Sequence, residues 1–286
     1  MDVTECVRAT VEAQWRASVG RVPLHRSLRY FLLPIDFTRA VEIPALLELS
    51  GIAARTDESL RILDISSPQA LPSALCRMSP RWHVTYGNPF EPERRNLQER
   101  AGLLGLKNLE IVSLDVRERS EVALLAESFD YVFSCSVFEH IHPQEDGDLV
   151  AAANLARLLR AGGRATLSVP YANEAFSEYT QGGAYVESRE SPELVFFQRF
   201  YDAARLDRLV AATGLEDDGR RFVGERDPST LDPHDRIASR LGTGWRRILL
   251  GRRFWSQAHR HLTSAVEDPD QLAKPYLAFV RLSAPA

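Results

Sequence analysis

The stretch Arg61-Ile62-Leu63-Asp64-Ile65-Ser66-Ser67-Pro68-Gln69 is a short apolar run that ends in an acid and breaks into a turn. Similar runs follow. Val84-Thr85-Tyr86-Gly87-Asn88 is stopped by Pro89. Leu109-Glu110-Ile111-Val112-Ser113-Leu114-Asp115-Val116 again ends in an acid. Phe129-Asp130-Tyr131-Val132-Phe133-Ser134-Cys135-Ser136 leads into Glu139-His140, and Ala165 to Val169 follows the pair Gly162-Gly163. Helical patterns separate these runs. That alternation predicts a parallel sheet with right-handed crossovers, in which a ligand sits beyond the carboxyl ends of the strands.

Strands are expected over Arg61 to Ser66, Trp82 to Asn88, Leu109 to Leu114, Phe129 to Ser134 and Ala165 to Val169. Leu215 to Gly224 and Pro275 to Ser283 complete the set. Helices are expected from Glu91 to Leu104, from Gly147 to Arg160 with its stop at Gly162-Gly163, and from Asp202 to Thr213 with its stop at Gly214. Tyr171 to Arg199 reads as a loop or partial cover. Residues 1–56 form a helical cap that Pro23, Pro34 and Pro44 divide into pieces. Its piece Thr38 to Leu49 puts Val41, Ala45 and Leu49 on one face, and Arg39 and Glu42 as an exposed pair or facing a pocket. Residues 57–286 form the α/β domain, with a helical insertion at about 225–274.

The bulk numbers narrow the class. The chain has 286 residues, 44% hydrophobic and 26% charged, as in an ordinary globular protein able to bury a core without staples. A net charge of −4 argues against nucleic acid as a partner. Cys6, Cys76 and Cys135 are scattered, with no metal spacing, so a reduced, cytoplasmic setting is expected. No secretory signal and no apolar run of membrane-spanning length is visible.

The chain resembles a class I S-adenosylmethionine-dependent methyltransferase of the type 11 kind. The resemblance rests on Leu63-Asp64-Ile65-Ser66-Ser67, Asp115-Val116, Phe129 to Ser134, Glu139-His140-Ile141 and Leu158-Leu159-Arg160-Ala161-Gly162-Gly163. It implies a doubly wound, Rossmann-like α/β sheet, mostly parallel with an antiparallel last strand, helices on both faces and an N-terminal lid. It implies S-adenosyl-L-methionine as cofactor and methyl transfer to an O, N or C nucleophile on a small-molecule or lipid-like acceptor. Asp64, Ser66, Ser67, Asn88, Asp115, Val116 and Ser134 would hold the cofactor, with Asp115 on the adenine amino group and the Val116 N–H on a ring nitrogen. Two features depart from the pattern. Ser66, Pro68 and Ala70 stand where the family has glycines, and Asn88 stands where it has the ribose-binding acid, losing a charge-assisted bond. The alternative is therefore a protein of the same fold with a non-methyl reaction or a non-catalytic binding role.

The resemblance puts His140 near the transferred methyl as the base for a hydroxyl or ammonium acceptor, with Glu139 orienting it or capping the next segment. A purely structural His140 is the other reading. Tyr171 and Glu174 either line the acceptor site or face solvent. His140 and His142, with Glu139 and Glu145 nearby, match no helical pair of metal ligands, and no metal is expected. Arg240 to His261 is basic and aromatic. It is either a solvated helical face or a contact for an anionic acceptor, a carrier protein or a membrane surface. The oligomeric state is not set by these features.

Overall fold

The computed structural model describes residues 2–32, 34–35, 38–181, 194–226 and 262–285. The strands are β1 (Arg61–Ile65), β2 (His83–Gly87), β3 (Leu109–Val112), β4 (Phe129–Cys135), β5 (Leu159–Pro170), β6 (Phe176–Gln181), β7 (Leu194–Phe200), β8 (Glu216–Gly224) and β9 (Pro275–Ser283). Seven of them make one sheet in the order β3-β2-β1-β4-β5-β9-β8. β1 to β5 are parallel, and β9 is antiparallel to both of its neighbours. The expected doubly wound architecture is present, with the strand order reversing direction between β1 and β4.

Both faces of the sheet are covered, which explains the near-continuous apolar runs of its central strands. Alternation divides the core in two. Ile62, Val84, Tyr131, Phe133, Leu277 and Phe279 face one side, under the helices α1 (Val3–Ser18), α3 (Arg39–Ser50) and α4 (Ala70–Met78). Leu63, Val132, Leu167, Ala278, Val280 and Leu282 face the other. That side is covered by α7 (Gly147–Ala152), α8 (Leu155–Leu158) and α9 (Ala203–Thr213). Local signals set the ends. Asp2 caps α1 by accepting from the Thr4 and Glu5 N–H groups, and Asp202 caps α9 through the Arg205 N–H. The helix α5 (Glu91–Leu104) stops at Gly105, whose φ of 65° is left-handed. Among the described residues the remaining α-helices are α2 (Leu24–Leu32) and the short α6 (Arg119–Ala123).

Four expectations are corrected. Pro44 lies inside α3 and does not divide the cap there. The expected helix from Gly147 to Arg160 is two short helices, and Gly162-Gly163 belongs to β5, not to a helix stop. Gly162 has a φ of 69°, and the β4–β5 register shifts between Phe129 and Tyr131, so the pair lies in a bulge near the start of β4, between two central strands. Tyr171 to Arg199 contains the antiparallel hairpin β6–β7. Arg39 and Glu42 do pair, but Glu42 is completely buried. The insertion's Arg240 to His261 lies outside the described residues.

Candidate functional site

Two adjoining cavities open beyond the carboxyl ends of β1, β2 and β4. One, of about 340 Å³, is lined by Ser66, Ser67, Asn88, Asp115, Val116 and His140 among others. The second, of about 690 Å³, lies between the cap helices, α5 and the β6–β7 hairpin. Both volumes suit small-molecule sites, which span roughly 300–1,000 Å³. Arg39, Pro68, Gln69 and Ser136 line both, so the cavities meet at the turns after β1 and β4.

Those two turns share an unusual backbone. Ser66 has a φ of 53° and Ser136 a φ of 48°, both left-handed and both non-glycine. Such a conformation costs a residue bearing Cβ roughly 1–2 kcal/mol, and it is Ser66 that takes a position where the resembled family has glycine. The Ser66 N–H and hydroxyl both donate to the Gly87 carbonyl, at 2.9 and 3.1 Å. The Ser67 N–H donates to Asp64 Oδ1 at 3.1 Å, while its Oγ accepts from the Cys135 N–H at 2.9 Å. The turn is thus tied to β2 and to β4. Pro68 stands in the wall and leaves the hollow open. Gly87 has a steric reason: a Cβ there would lie 2.6 Å from Leu114 Cδ2.

Asp64 and Ser134 do not line either cavity. Both are completely buried, and Asp64 Oδ2 and Ser134 Oγ make no hydrogen bond. Burial pushes the Asp64 carboxyl up to about 8, against the opposing bonds from Ser67. Asp64 acts from behind the wall, by holding the turn. Asn88 donates to the Tyr86 hydroxyl at 2.8 Å and accepts from the Phe90 N–H at 2.8 Å, which leaves one N–H and one lone pair of its amide. Asp115 is gripped by Arg117 through Nε (3.0 and 3.2 Å) and a terminal nitrogen (2.5 Å). Burial works to raise the Asp115 carboxyl, but those bonds outweigh it and hold it below its ordinary value. The Val116 carbonyl accepts from Asn154 at 2.9 Å, which fixes that corner.

At the junction Glu42 is the hub. Its Oε1 accepts from the Ser136 hydroxyl at 2.5 Å and the Ser168 hydroxyl at 2.7 Å, and its Oε2 pairs with Arg39. This network docks α3 onto the ends of β4 and β5. Glu139 lines the larger cavity and His140 the smaller. Burial pushes the Glu139 carboxyl up to about 8, with Arg39 acting against the rise, and its Oε2 makes no hydrogen bond. Burial pulls His140 down to about 4, so its imidazole is neutral at neutral pH. Its Nδ1 lies 2.7 Å from the Phe197 carbonyl, an acceptor only, so Nδ1 carries the proton. Nε2 lies 3.7 Å from Glu139 Oε1.

The β6–β7 hairpin is clamped over the site by Arg199. This buried side chain donates to the Phe138, Glu139, Pro143 and Gln144 carbonyls and stacks 4.8 Å over Phe196. Tyr171 lines neither cavity. It is buried against Phe222, at 5.0 Å between rings, so the solvent-facing reading is corrected for it, whereas Glu174 is exposed. His142 packs on the edge of Phe196 and lines the smaller cavity. Among the described residues no cluster of His, Cys, Asp and Glu could hold a metal, and no helix is long and apolar enough to cross a membrane. Sequence reading missed Gln14, Arg100 and Arg199, all buried. The only signal for Arg100 was its place on α5 three residues from Leu97, on the buried face.

Residues 63–167 match the family described as methyltransferase domain. No curated protein matches the chain in sequence. Among solved structures, coclaurine N-methyltransferase bound to N-methylheliamine and S-adenosylhomocysteine superposes with a TM-score of 0.54 at 11% identity, over 98% of this chain and 86% of its own. The cyclase SpnF gives 0.53 at 16% identity, over 84% of this chain and 80% of its own. An S-adenosylmethionine-dependent methyltransferase from Clostridium acetobutylicum ATCC 824 gives 0.50 at 10% identity, over 88% and 93%. At these identities the likeness establishes the fold.

Proposed function

We infer that the chain, whose residues 63–167 match the methyltransferase-domain family, is an S-adenosylmethionine-dependent methyltransferase that transfers a methyl group to a small-molecule acceptor held under the cap. The observation that carries this is the pair of cavities joined at Arg39, Pro68, Gln69 and Ser136. The smaller takes the adenosyl part and the larger the acceptor. The donor set fits. Asn88 keeps a donor and an acceptor for a ribose diol, and Asp115, whose roughly four lone-pair sites already face the Arg117 backbone N–H, its Nε–H (shared by both oxygens) and a terminal nitrogen, takes an adenine amino group by giving up the shared Nε–H contact at 3.2 Å. When bound, S-adenosylmethionine supplies an electrophilic methyl carbon, and the protein supplies alignment and exclusion of water.

The acceptor must lose a proton if it reacts through a hydroxyl or ammonium. Glu139 is the better base of the two acids and bases at the junction. It lines the acceptor cavity, has an oxygen without a hydrogen bond, and titrates near the working pH. His140 lines the cofactor cavity instead, with a nitrogen of low basicity, its ring fixed by the Phe197 carbonyl and its Nε2 3.7 Å from Glu139 Oε1.

Calorimetric titration with S-adenosylhomocysteine tests the cofactor assignment. Wild-type protein should bind, and Asp115→Ala should weaken binding about tenfold or more, the worth of one hydrogen bond to a charged group. Unchanged affinity in that variant would remove Asp115 from the adenine end. A second reading, chemistry other than methyl transfer, is favoured by Ser66 and Pro68 in place of glycines and has a counterpart in the neighbour named a cyclase. Lack of any binding at millimolar S-adenosylhomocysteine would favour a role without this cofactor.

A further inference from the structure

The larger cavity has a cationic wall. Arg26, Arg29 and Tyr30 of α2 line it together with Gln14 of α1 and Arg100 of α5. Arg26 is partly neutralised by Glu99, at 2.7 Å. Arg100 is different. It is 8% exposed, its terminal nitrogen bonds to the neutral side chain of Gln14, and its Nε makes no hydrogen bond. Among the described residues it meets no carboxylate. A buried guanidinium with no counter-charge is costly, because several kcal/mol of lost hydration go uncompensated. Arginine also stays charged when buried more readily than any other cation, and burial leaves Arg100 titrating at about 10. The opposite side of the same cavity is aromatic, with Phe197, Phe200 and Tyr276.

We propose that the acceptor carries a carboxylate or phosphate that pairs with Arg100 and Arg29, with its apolar body against Phe197 and Phe200. This rests on the reading of the larger cavity as the acceptor site. The planar guanidinium fork of Arg100 suits either head group, and a neutral acceptor leaves it unpaired.

The test uses the full chain saturated with S-adenosylhomocysteine, with phenylacetate, phenyl phosphate and uncharged phenylacetamide as probes in calorimetric titrations. At least one anion should bind about tenfold or more tightly than phenylacetamide. Arg100→Gln should abolish that preference and Arg29→Gln should reduce it, while neither variant changes the affinity for S-adenosylhomocysteine. The ratio of the two anions identifies the head group. Because Arg29 is exposed, its variant keeps the question open to measurement if Arg100→Gln fails to fold. Equal binding of charged and uncharged probes by wild-type protein overturns the proposal. So does a loss of S-adenosylhomocysteine affinity in Arg100→Gln, which would assign the guanidinium to the cofactor's own carboxylate. Failure of wild-type protein to bind S-adenosylhomocysteine at all is a separate result and sinks the cofactor assignment instead.

Discussion

The two cavities differ in how their polar groups are satisfied. In the smaller one the groups are already bonded within the protein: Asn88 to Tyr86 and Phe90, Asp115 to Arg117, Ser67 to Asp64 and Cys135. In the larger one, Arg100 Nε and Glu139 Oε2 are buried without hydrogen bonds. A bonded wall is rigid before a ligand enters, so it costs little reorganisation on binding. Unbonded buried groups cost free energy in the empty protein, and structures keep few of them without a functional reason. On the proposed function, the strand ends select by shape and the larger cavity by chemistry.

Cutting the link between the two regions should give the largest effect. Glu42 joins α3 to the turns after β4 and β5, with Arg39, Ser136 and Ser168 as partners. Glu42→Ala takes the carboxylate from a partly buried arginine and the acceptor from the Ser136 and Ser168 hydroxyl protons, and should cost about 3–5 kcal/mol in urea unfolding. If the loss stays below about 1 kcal/mol, the cap is docked mainly by its apolar face and the two cavities are independent units.

The next effect separates the groups by pH. Glu139 in the folded chain titrates at about 8, above its ordinary value of 4.5. Between those values the folded state holds a proton that the unfolded chain has released. Its contribution is therefore fully present below pH 4.5 and is lost as pH rises through 8. Glu139→Gln cannot ionise, so its stability relative to wild type should improve with rising pH across that window, by at most about 1.4 kcal/mol per unit. Denaturant melts at pH 5, 7 and 9 would show it, and a constant difference between the two proteins would mean that Glu139 titrates normally. The pH profile of turnover separates the two proposed bases. A Glu139 base gives a rate that climbs to a plateau above pH 8, whereas a His140 base gives a flat rate above about pH 5.

How much of this was legible beforehand follows from which forces act locally. β1, α5 and β9 were readable because apolar runs, a left-handed glycine stop and a proline break act within one segment. Glu42 read as an exposed partner of Arg39 because helical spacing carries that pair, while its burial depends on Ser136 and Ser168, 94 and 126 residues away. Gly162-Gly163 looked like a helix stop because a glycine with positive φ serves a bulge equally well. Arg100 stood among charged neighbours on α5, and only the packing of α1 against that helix covers it. Of the strand-end residues named from sequence, Ser66, Ser67, Asn88, Asp115, Val116 and His140 line the smaller cavity and Asp64 and Ser134 do not, while Arg39, one of the two N-terminal residues read as a pair or as facing a pocket, lines both cavities.

The smallest effect tests the rigid region at its strained point. Ser66 has a φ of 53°, so glycine there relieves roughly 1–2 kcal/mol of left-handed strain. Against that stand about 0.5–1 kcal/mol of extra chain entropy in the unfolded state and the loss of the hydroxyl bond to Gly87, worth about 0.5–1.5 kcal/mol. The terms nearly cancel, and Ser66→Gly should shift stability by less than about 1 kcal/mol. Ser66→Val keeps the strain, loses the bond and adds β-branching that tolerates positive φ poorly, so it should destabilise where glycine does not. A valine variant as stable as wild type would show that the turn is free to leave the left-handed region. The floor of the smaller cavity would then be no more preformed than the space beneath the cap.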